Sequence, residues 1–272
     1  MRRWKRVNGL SRCPVCGKPD WCLIAPDRSA VICPRIDEGS TRYIEGSGYL
    51  HILKVTTQWM KEEYNHVKKL PEHNEVLAIR ARHWIRECES TRIQELAGSL
   101  HVSEESLKLL NVGWMEQNDS WIFPMLRNHG RLIGIRVRPR GGKKFAIKGS
   151  RNGLFIPNNL TGEGVVYVCE GESDTAALLT CGLPAVGRPS CNSGERLLAA
   201  LLRNRDVVVC MDRDGAGRSG AKQLVEYLRC HASDVMMLEP PDKYNDMRDW
   251  LHGEGKQEVY TTAMRIHEGS CR

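Results

Sequence analysis

The sequence has no apolar run approaching the roughly 18 residues of a membrane span. Its opening stretch, MRRWKRVNGLSRC, is basic but has no apolar segment of the kind that makes a secretory leader. Both absences argue for a cytoplasmic protein with no membrane partner. There is no internal repeat and no low-complexity block, which excludes solenoids and disordered arrays. The eleven cysteines are an odd number, and seven of them stand singly, so a disulfide framework is excluded in favour of the thiol usage of a reducing compartment. No G-x-x-x-x-G-K-[ST] phosphate loop occurs, which excludes a P-loop nucleotidase within these residues. From residue 120 to residue 162 there is no carboxylate at all.

What is present is ordinary for a folded protein. The 272 residues are 41% hydrophobic and 27% charged, enough for two or three compact units. The formal net charge of +7 favours a polyanionic partner, and the carboxylate-free segment is where the excess concentrates. Nine cations fall there: Arg127, Arg131, Arg136, Arg138, Arg140, Lys143, Lys144, Lys148 and Arg151. A solvated face normally mixes both signs, so this enrichment points to a phosphate track. WIFPMLRNHGRLIGIRVRPRGGKKFAIKGSRNGLFIP alternates as strands and turns, punctuated by Gly130 and Gly141-Gly142, and a strand that lasts that far would place Arg136, Arg138 and Arg140 on one face.

Four cysteines cluster near the start: Cys13 and Cys16 in CPVCG, then Cys22 and Cys33. A C-P-x-C-G turn lets two thiolates converge on one tetrahedral ion while backbone amides bond the sulfurs. Cys22 and Cys33 have ten residues between them instead of forming a second C-x-x-C. A hairpin in DWCLIAPDRSAVIC, turning at Pro26-Asp27-Arg28, would bring them together. His51 is an alternative ligand, which leaves the fourth position open between Cys22 and His51. Structural zinc is the favoured reading over ordinary buried thiols. The basic rim of Arg2, Arg3, Lys5, Arg6, Arg12 and Lys18 is either a nucleic-acid contact or a solvated face.

Residues 56 to 74 are polar and linker-like. Helices are then predicted over NEVLAIRARHWIREC, over TRIQELAGSL with Thr91 and Gln94 as a capping box, and over SEESLKLL with Ser103 as N-cap and Gly113 as stop. The last two resemble a helix-turn-helix, a pattern that simple packing of two short helices also produces.

From residue 165 onward, continuous apolar strands alternate with helices: VVYVCEG, a helix capped by Ser173, PAVGRP, a helix capped by Ser193, DVVVCMD, GRSGAKQLVEYLRC and DVMMLEP. This is the pattern of a mainly parallel sheet covered on both faces, and functional groups in such sheets sit at the carboxyl ends of strands. Glu170 lies at one end, with Asp174 four residues on; Asp212 and Asp214 lie at another; NDMRDWL adds Asp246 and Asp249. Alpha carbons two residues apart are roughly 6.5 Å from one another, so the two aspartates at 212 and 214 repel unless a cation sits between them. Hard oxygen ligands suit Mg²⁺ or Mn²⁺. Gly215, Ala216 and Gly217 would let a phosphate or a backbone approach the following helix closely.

These residues carry a family resemblance. VYVCEGESDTAAL, VVVCMDRDGAGRSGA and NDMRDWL resemble the three signature motifs of the Toprim domain, found in bacterial and phage primases, type IA and II topoisomerases, certain nucleases and recombination mediators. The order of zinc knuckle, basic segment and Toprim motifs is similar to that of bacterial and phage DNA primases, and the likeness covers nearly the whole chain. The fold it implies is an α/β Toprim domain, a mainly parallel sheet with helices on both faces. A basic α+β subdomain and a small N-terminal zinc-ribbon-like β module would precede it. The implied layout is a zinc-binding module over 1–55, a linker and helical segment over 56–112, a basic template-binding subdomain over 113–160 and a Toprim catalytic domain over 161–272.

The same resemblance implies the chemistry. Glu170 would assist proton transfer from the attacking 3′-hydroxyl or order metal, and Asp212 and Asp214 would hold divalent ions, with Asp246 and Asp249 in support. Structural Zn²⁺ would sit on the cysteines, and catalytic Mg²⁺ or Mn²⁺ on the carboxylates. Single-stranded DNA would lie along Arg127, Arg136, Arg138, Arg140, Lys143, Lys144 and Lys148. Ribonucleoside triphosphates would be the substrates, and a replicative helicase would be encoded separately. Asn245 stands where a lysine would be usual, a departure in the third motif. A metal-dependent nuclease and a non-enzymatic DNA-binding recombination mediator are the alternatives.

Overall fold

The computed structural model describes residues 4–53 and 73–270. The chain divides into two compact units, Met1–Leu70 and Pro71–Arg272. Most of the linker-like stretch, together with Arg2 and Arg3, lies outside the described residues.

The first unit is a five-stranded antiparallel sheet made of β1 (Lys5–Arg6), β2 (Leu23–Ile24), β3 (Ala30–Cys33), β4 (Arg42–Ile44) and β5 (Gly48–Ile52), in the order β1-β2-β3-β5-β4. The expected hairpin is β2–β3. Its turn closes with the Arg28 amide donating to Ala25 at 2.9 Å and the Ser29 hydroxyl donating to Asp27 at 2.6 Å. Leu23 pairs with Ile32, so the residues one step outward, Cys22 and Cys33, face each other. The apolar cluster beneath contains few large side chains beyond Val7, Ile24 and Val31. So small a core needs a crosslink.

The second unit opens with α1 (His73–Arg86), α2 (Ser90–Leu100) and α3 (Glu104–Leu109). Ser103 caps α3 as expected, accepting from the Ser106 amide. No capping box forms at Thr91. The N-cap of α2 is Glu89, and the Thr91 hydroxyl donates to the Glu89 carboxylate at 3.2 Å. The turn after α3 is made by Asn111, whose φ is +54°, not by Gly113. A β-carbon on Gly113 would come 2.8 Å from the backbone of Trp84 and Ile85, so this glycine serves close packing of α1. The helix pair packs against the rest of the unit: α3 is six residues long, its Leu107 is buried, and the Thr180 hydroxyl accepts from the Ser103 amide at 2.9 Å. It is a packing element.

A four-stranded antiparallel sheet follows, in chain order: β6 (Gly113–Met115), β7 (Ser120–Leu126), β8 (Leu132–Pro139) and β9 (Phe145–Ala146). The last sheet is wholly parallel, with order β11-β10-β12-β13, from β10 (Val166–Glu170), β11 (Ala185–Arg188), β12 (Asp206–Cys210) and β13 (Asp234–Leu238). Its helices are α4 (Gly171–Thr180), α5 (Glu195–Leu201), α6 (Gly215–Leu228), α7 (Met247–Glu254) and α8 (Lys256–Ser270).

The two faces of this sheet account for its uninterrupted apolar strands. Val166, Val168, Val207 and Val209 pack with Leu198 of α5 and with Leu224 and Leu228 of α6. The alternate residues Tyr167, Cys169, Val208 and Cys210 join a second core with α4, α7 and α8, which continues through α2 and α3 to Trp114, Trp121 and Phe123. Period-two alternation with both faces buried leaves no polar position until the strand ends. Two helix starts differ from expectation. α4 begins at Gly171, because β10 runs directly into it through a φ of +80°, and Ser173 lies buried inside the helix. The α5 N-cap is Gly194, and the Ser193 hydroxyl pairs with Ser190 at 2.8 Å. No helix among the described residues is long and apolar enough to cross a membrane.

Candidate active site and metal centre

The knuckle and the hairpin converge. The sulfurs of Cys13, Cys16, Cys22 and Cys33 all lie within 4.8 Å of one another. A tetrahedral ion with Zn–S of about 2.3 Å separates its sulfurs by roughly 3.8 Å. Cys16 and Cys22 are 3.5 Å apart, and Cys22 and Cys33 are 3.8 Å apart. The Cys16 amide points at the Cys13 sulfur, 3.4 Å away, the amide–sulfur bond that orients a thiolate ligand. Burial pushes the Cys33 thiol up to about 11. Burial also raises Cys16, but the Lys18 amide and neighbouring thiols outweigh it and bring that thiol below its ordinary value. Arg35 supports the cluster, with Nη1 at 3.6 Å from the Cys22 sulfur and Nη2 on Asp20 at 2.9 Å. The cluster fits zinc. His51 does not join it: its Nε2 is 2.8 Å from the Ile36 carbonyl. Of the two candidates for the fourth position, Cys22 is the one that lies with the other three thiols.

In the parallel sheet, three chain segments deliver acids to one edge. Glu170 ends β10, at the N-cap position of α4, with no amide bonded to its side chain. Asp212 follows β12 after one residue, Met211. Asp214, on the same side, caps α6 by accepting from the Gly217 amide at 2.6 Å. Between them, Arg213 is turned away, donating to the Pro240 carbonyl at 2.8 Å and pairing with Glu239 and Asp242. Asp246 caps α7 by accepting from the Asp249 amide at 2.6 Å. Asp249 accepts from the Asn245 amide at 3.0 Å, so its role is to close this cap.

The small residues after Asp214 are not equivalent. A β-carbon on Gly217 would lie 2.7 Å from the Asp212 β-carbon and 2.9 Å from its carbonyl oxygen, whereas Gly215 faces open space. Only Gly217 is required, to let α6 sit against Asp212.

Asp174, 5% exposed, completes the cluster from the first turn of α4 and accepts from the Arg248 amide at 3.0 Å. Burial, then the charges of Asp246 and Asp212, raise its carboxyl far above the usual range. Burial, then Glu170, Asp246 and Asp214, push Asp212 up to about 7. Acids held together against their own repulsion are the electrostatic signature of a cation site. Among the described residues no carboxylate group is as tight as the four thiols.

The basic segment is largely engaged within the protein, which narrows the expected phosphate track. Glu172, 2% exposed, receives Lys144 Nζ at 2.7 Å and Arg138 Nη1 at 3.2 Å. Burial alone would push the Glu172 carboxyl up, but Lys144 and Arg138 hold it below the usual carboxylate range. Arg136 donates to the Pro189 carbonyl at 3.1 Å. Arg140 pairs with Glu95 and, at 3.0 Å, with Asp119, and its guanidinium lies 5.3 and 5.6 Å from the ring centroids of Trp114 and Trp121. Lys143 and Lys148 are exposed. Glu172 was missed by the sequence reading. The signal available for Asp174 was its place four residues after Glu170.

Residues 167–251 match the family described as Toprim-like. An uncharacterised protein of Mycoplasma genitalium is 28% identical over 151 residues, covering 51% of this chain and 68% of that protein. Among solved structures, a DnaG primase catalytic domain bound to single-stranded DNA is similar with a TM-score of 0.57 at 16% identity, over 72% of this chain and 80% of that one. The Escherichia coli primase catalytic core gives 0.53 at 18% identity, over 72% and 79%. The zinc-binding and RNA polymerase domains of the Aquifex aeolicus primase give 0.56 at 16% identity, over 96% and 80%. The likeness is one of fold: a Toprim-like domain in a primase-type catalytic core.

Proposed function

We propose that this protein is a DNA primase, making short RNA primers on single-stranded DNA by metal-dependent nucleotidyl transfer. The observation that carries the reading is the gathering of Glu170, Asp174, Asp212, Asp214 and Asp246 at one edge of a Toprim-like parallel sheet. The primase-type fold of the surrounding chain supports it, as does the thiol cluster suited to zinc.

In this reading Asp212 and Asp214 hold the divalent ion, Mg²⁺ or Mn²⁺, with Asp246 facing them. Bound there, the ion would lower the pKa of the attacking hydroxyl and neutralise charge on the triphosphate. Glu170, whose side chain is bonded to no amide, takes the proton from the 3′-hydroxyl. Asp174 sits behind the others and orients the α7 cap through the Arg248 amide. Template phosphates meet Lys143, Lys148 and Arg127, while Arg136, Arg138 and Lys144 hold the basic sheet against the catalytic one and Arg140 ties it to α2. The zinc module selects the start site, ribonucleoside triphosphates are the substrates, and the helicase is a separate protein.

The test is incubation with single-stranded DNA, ribonucleotides and Mg²⁺ or Mn²⁺, reading short labelled products. Glu170→Gln should lose about 10²- to 10⁴-fold, the range of a general base. Asp212→Asn should lose at least as much. No product from wild type, or equal product from Asp212→Asn, would sink the reading. Template degradation would favour the nuclease, and DNA binding without either reaction the mediator.

A further inference from the structure

Two arginines in or next to the parallel sheet are buried, and they are used differently. Arg205, 8% exposed, donates to three backbone carbonyls, those of Thr161, Glu163 and Gly164. Its donors are spent on a loop. Arg188, 3% exposed, makes one hydrogen bond among the described residues, from Nη1 to the Cys191 carbonyl at 2.6 Å. No carboxylate of the described residues is in ion-pair contact with it. A buried guanidinium with so few partners is costly unless opposite charge lies nearby.

Opposite charge does lie nearby. Arg188 ends β11 directly opposite Glu170 on β10. The two strand ends are pressed together, since a β-carbon on the preceding Gly187 would come 2.7 Å from the Gly171 carbonyl. After burial, which lowers it, the charges acting on Arg188 are those of Glu170, Glu195, Cys191 and Asp212. The loop that holds Arg188 is itself held, by Arg136 on the Pro189 carbonyl and by Gly220, whose β-carbon would come 2.5 Å from the Cys191 carbonyl.

We infer that Arg188 is a fixed internal cation of the acidic site, a positioning residue that balances Glu170 and Asp212 before any divalent ion binds and competes with that ion for their charge. The inference rests on the metal-binding reading of the site. It makes Arg188 a standing substitute for part of the divalent charge: the carboxylates are held folded together when the site is empty, and the incoming ion is bound less tightly than five bare acids would bind it.

The experiment is Mn²⁺ titration of the full chain by electron paramagnetic resonance, with thermal unfolding in EDTA and in excess Mn²⁺. Wild type, Arg188→Met and Arg188→Lys are compared. Arg188→Met should bind Mn²⁺ about tenfold more tightly or take an additional ion. It should melt below wild type in EDTA and recover at least half of that loss in Mn²⁺, while Arg188→Lys follows wild type. Unchanged or weaker Mn²⁺ binding by Arg188→Met, or a melting loss equal in both buffers, would overturn the inference. If Arg188→Met does not fold, the double variant Arg188→Met/Asp212→Asn decides: recovered folding supports charge balance, and no recovery overturns it. Wild type that binds no Mn²⁺ would remove the metal reading of the site and this inference with it. Wild type that binds Mn²⁺ indistinguishably from Arg188→Met removes only the inference.

Discussion

The thiol cluster and the acidic cluster each gather several anionic ligands, and they do so in opposite ways. Cys13, Cys16, Cys22 and Cys33 come from 21 consecutive residues, and a knuckle and a hairpin bring their sulfurs within 4.8 Å of one another. The acids come from strand ends and helix caps spread between Glu170 and Asp246, and they stay further apart. A structural ion can be caged by local turns, and the small sheet around it needs the cage. A catalytic site has to leave room for substrate, so its ligands hang on a scaffold that is stable without them. The difference teaches that removing metal should unfold one region and only idle the other.

The largest expected effect tests that contrast directly. Cys22→Ser, or a strong chelator, should abolish amide-exchange protection over residues 4–53, since structural zinc supplies on the order of 10 kcal/mol of folding free energy. Protection over 166–238 should persist. Loss of both would break the comparison. Next is the buried anchor behind Glu170. Glu172→Ala removes a buried acid whose partners, Lys144 and Arg138, are partly exposed and can turn to solvent, and should cost about 1.5–3 kcal/mol in urea denaturation. Because the folded Glu172 carboxyl is held below its ordinary value, its contribution is complete above the unfolded value and is lost as pH falls through the folded one. The variant's deficit should therefore shrink in acid.

Gly217→Ala, which forces a β-carbon against Asp212, should cost about 1–3 kcal/mol. Gly215→Ala faces open space and should stay within about 0.5 kcal/mol of wild type. Equal effects would contradict the packing of α6. The smallest effect has the opposite sign. Asp212→Asn relieves repulsion and should raise the melting temperature in metal-free buffer by about 2–4 °C, equivalent to roughly 1 kcal/mol. A fall would mean that the acids are not strained against one another.

The parallel sheet was legible because burial on both faces writes itself as unbroken runs such as VVVC, and the D-x-D, which alone reads as a turn, stood out because acids recur at Glu170 and in NDMRDWL. The zinc knuckle was legible for its spacing. Less legible was where the cations of 127–151 go. Periodicity reported that Arg136, Arg138 and Arg140 share a face, but their acceptors, Pro189, Glu172, Glu95 and Asp119, are distant in sequence or lie beyond a turn. Helix starts at Ser173, Ser193 and Thr91 were displaced too. At Ser173 the chain has already turned at Gly171, at Thr91 the helix has already begun after Glu89, and at Ser193 the cap falls one residue later, on Gly194. Asp174 and Arg188 acquire their meaning from neighbours that only the fold supplies.

The helix caps at Asp214 and Asp246 carry one more consequence. In each, Oδ1 is committed to a backbone amide at 2.6 Å. Chelation of an ion by both oxygens of either residue would compete with a helix start, so each offers a single oxygen, Oδ2. A large cation that seeks seven or eight ligands and bidentate carboxylates, as Ca²⁺ does, is poorly served by such donors. A small octahedral one that keeps its own waters is well served. If these acids hold the ion of the proposed function, the denticity of the site, and with it the choice between cations, would be set by the hydrogen bonds that begin two helices.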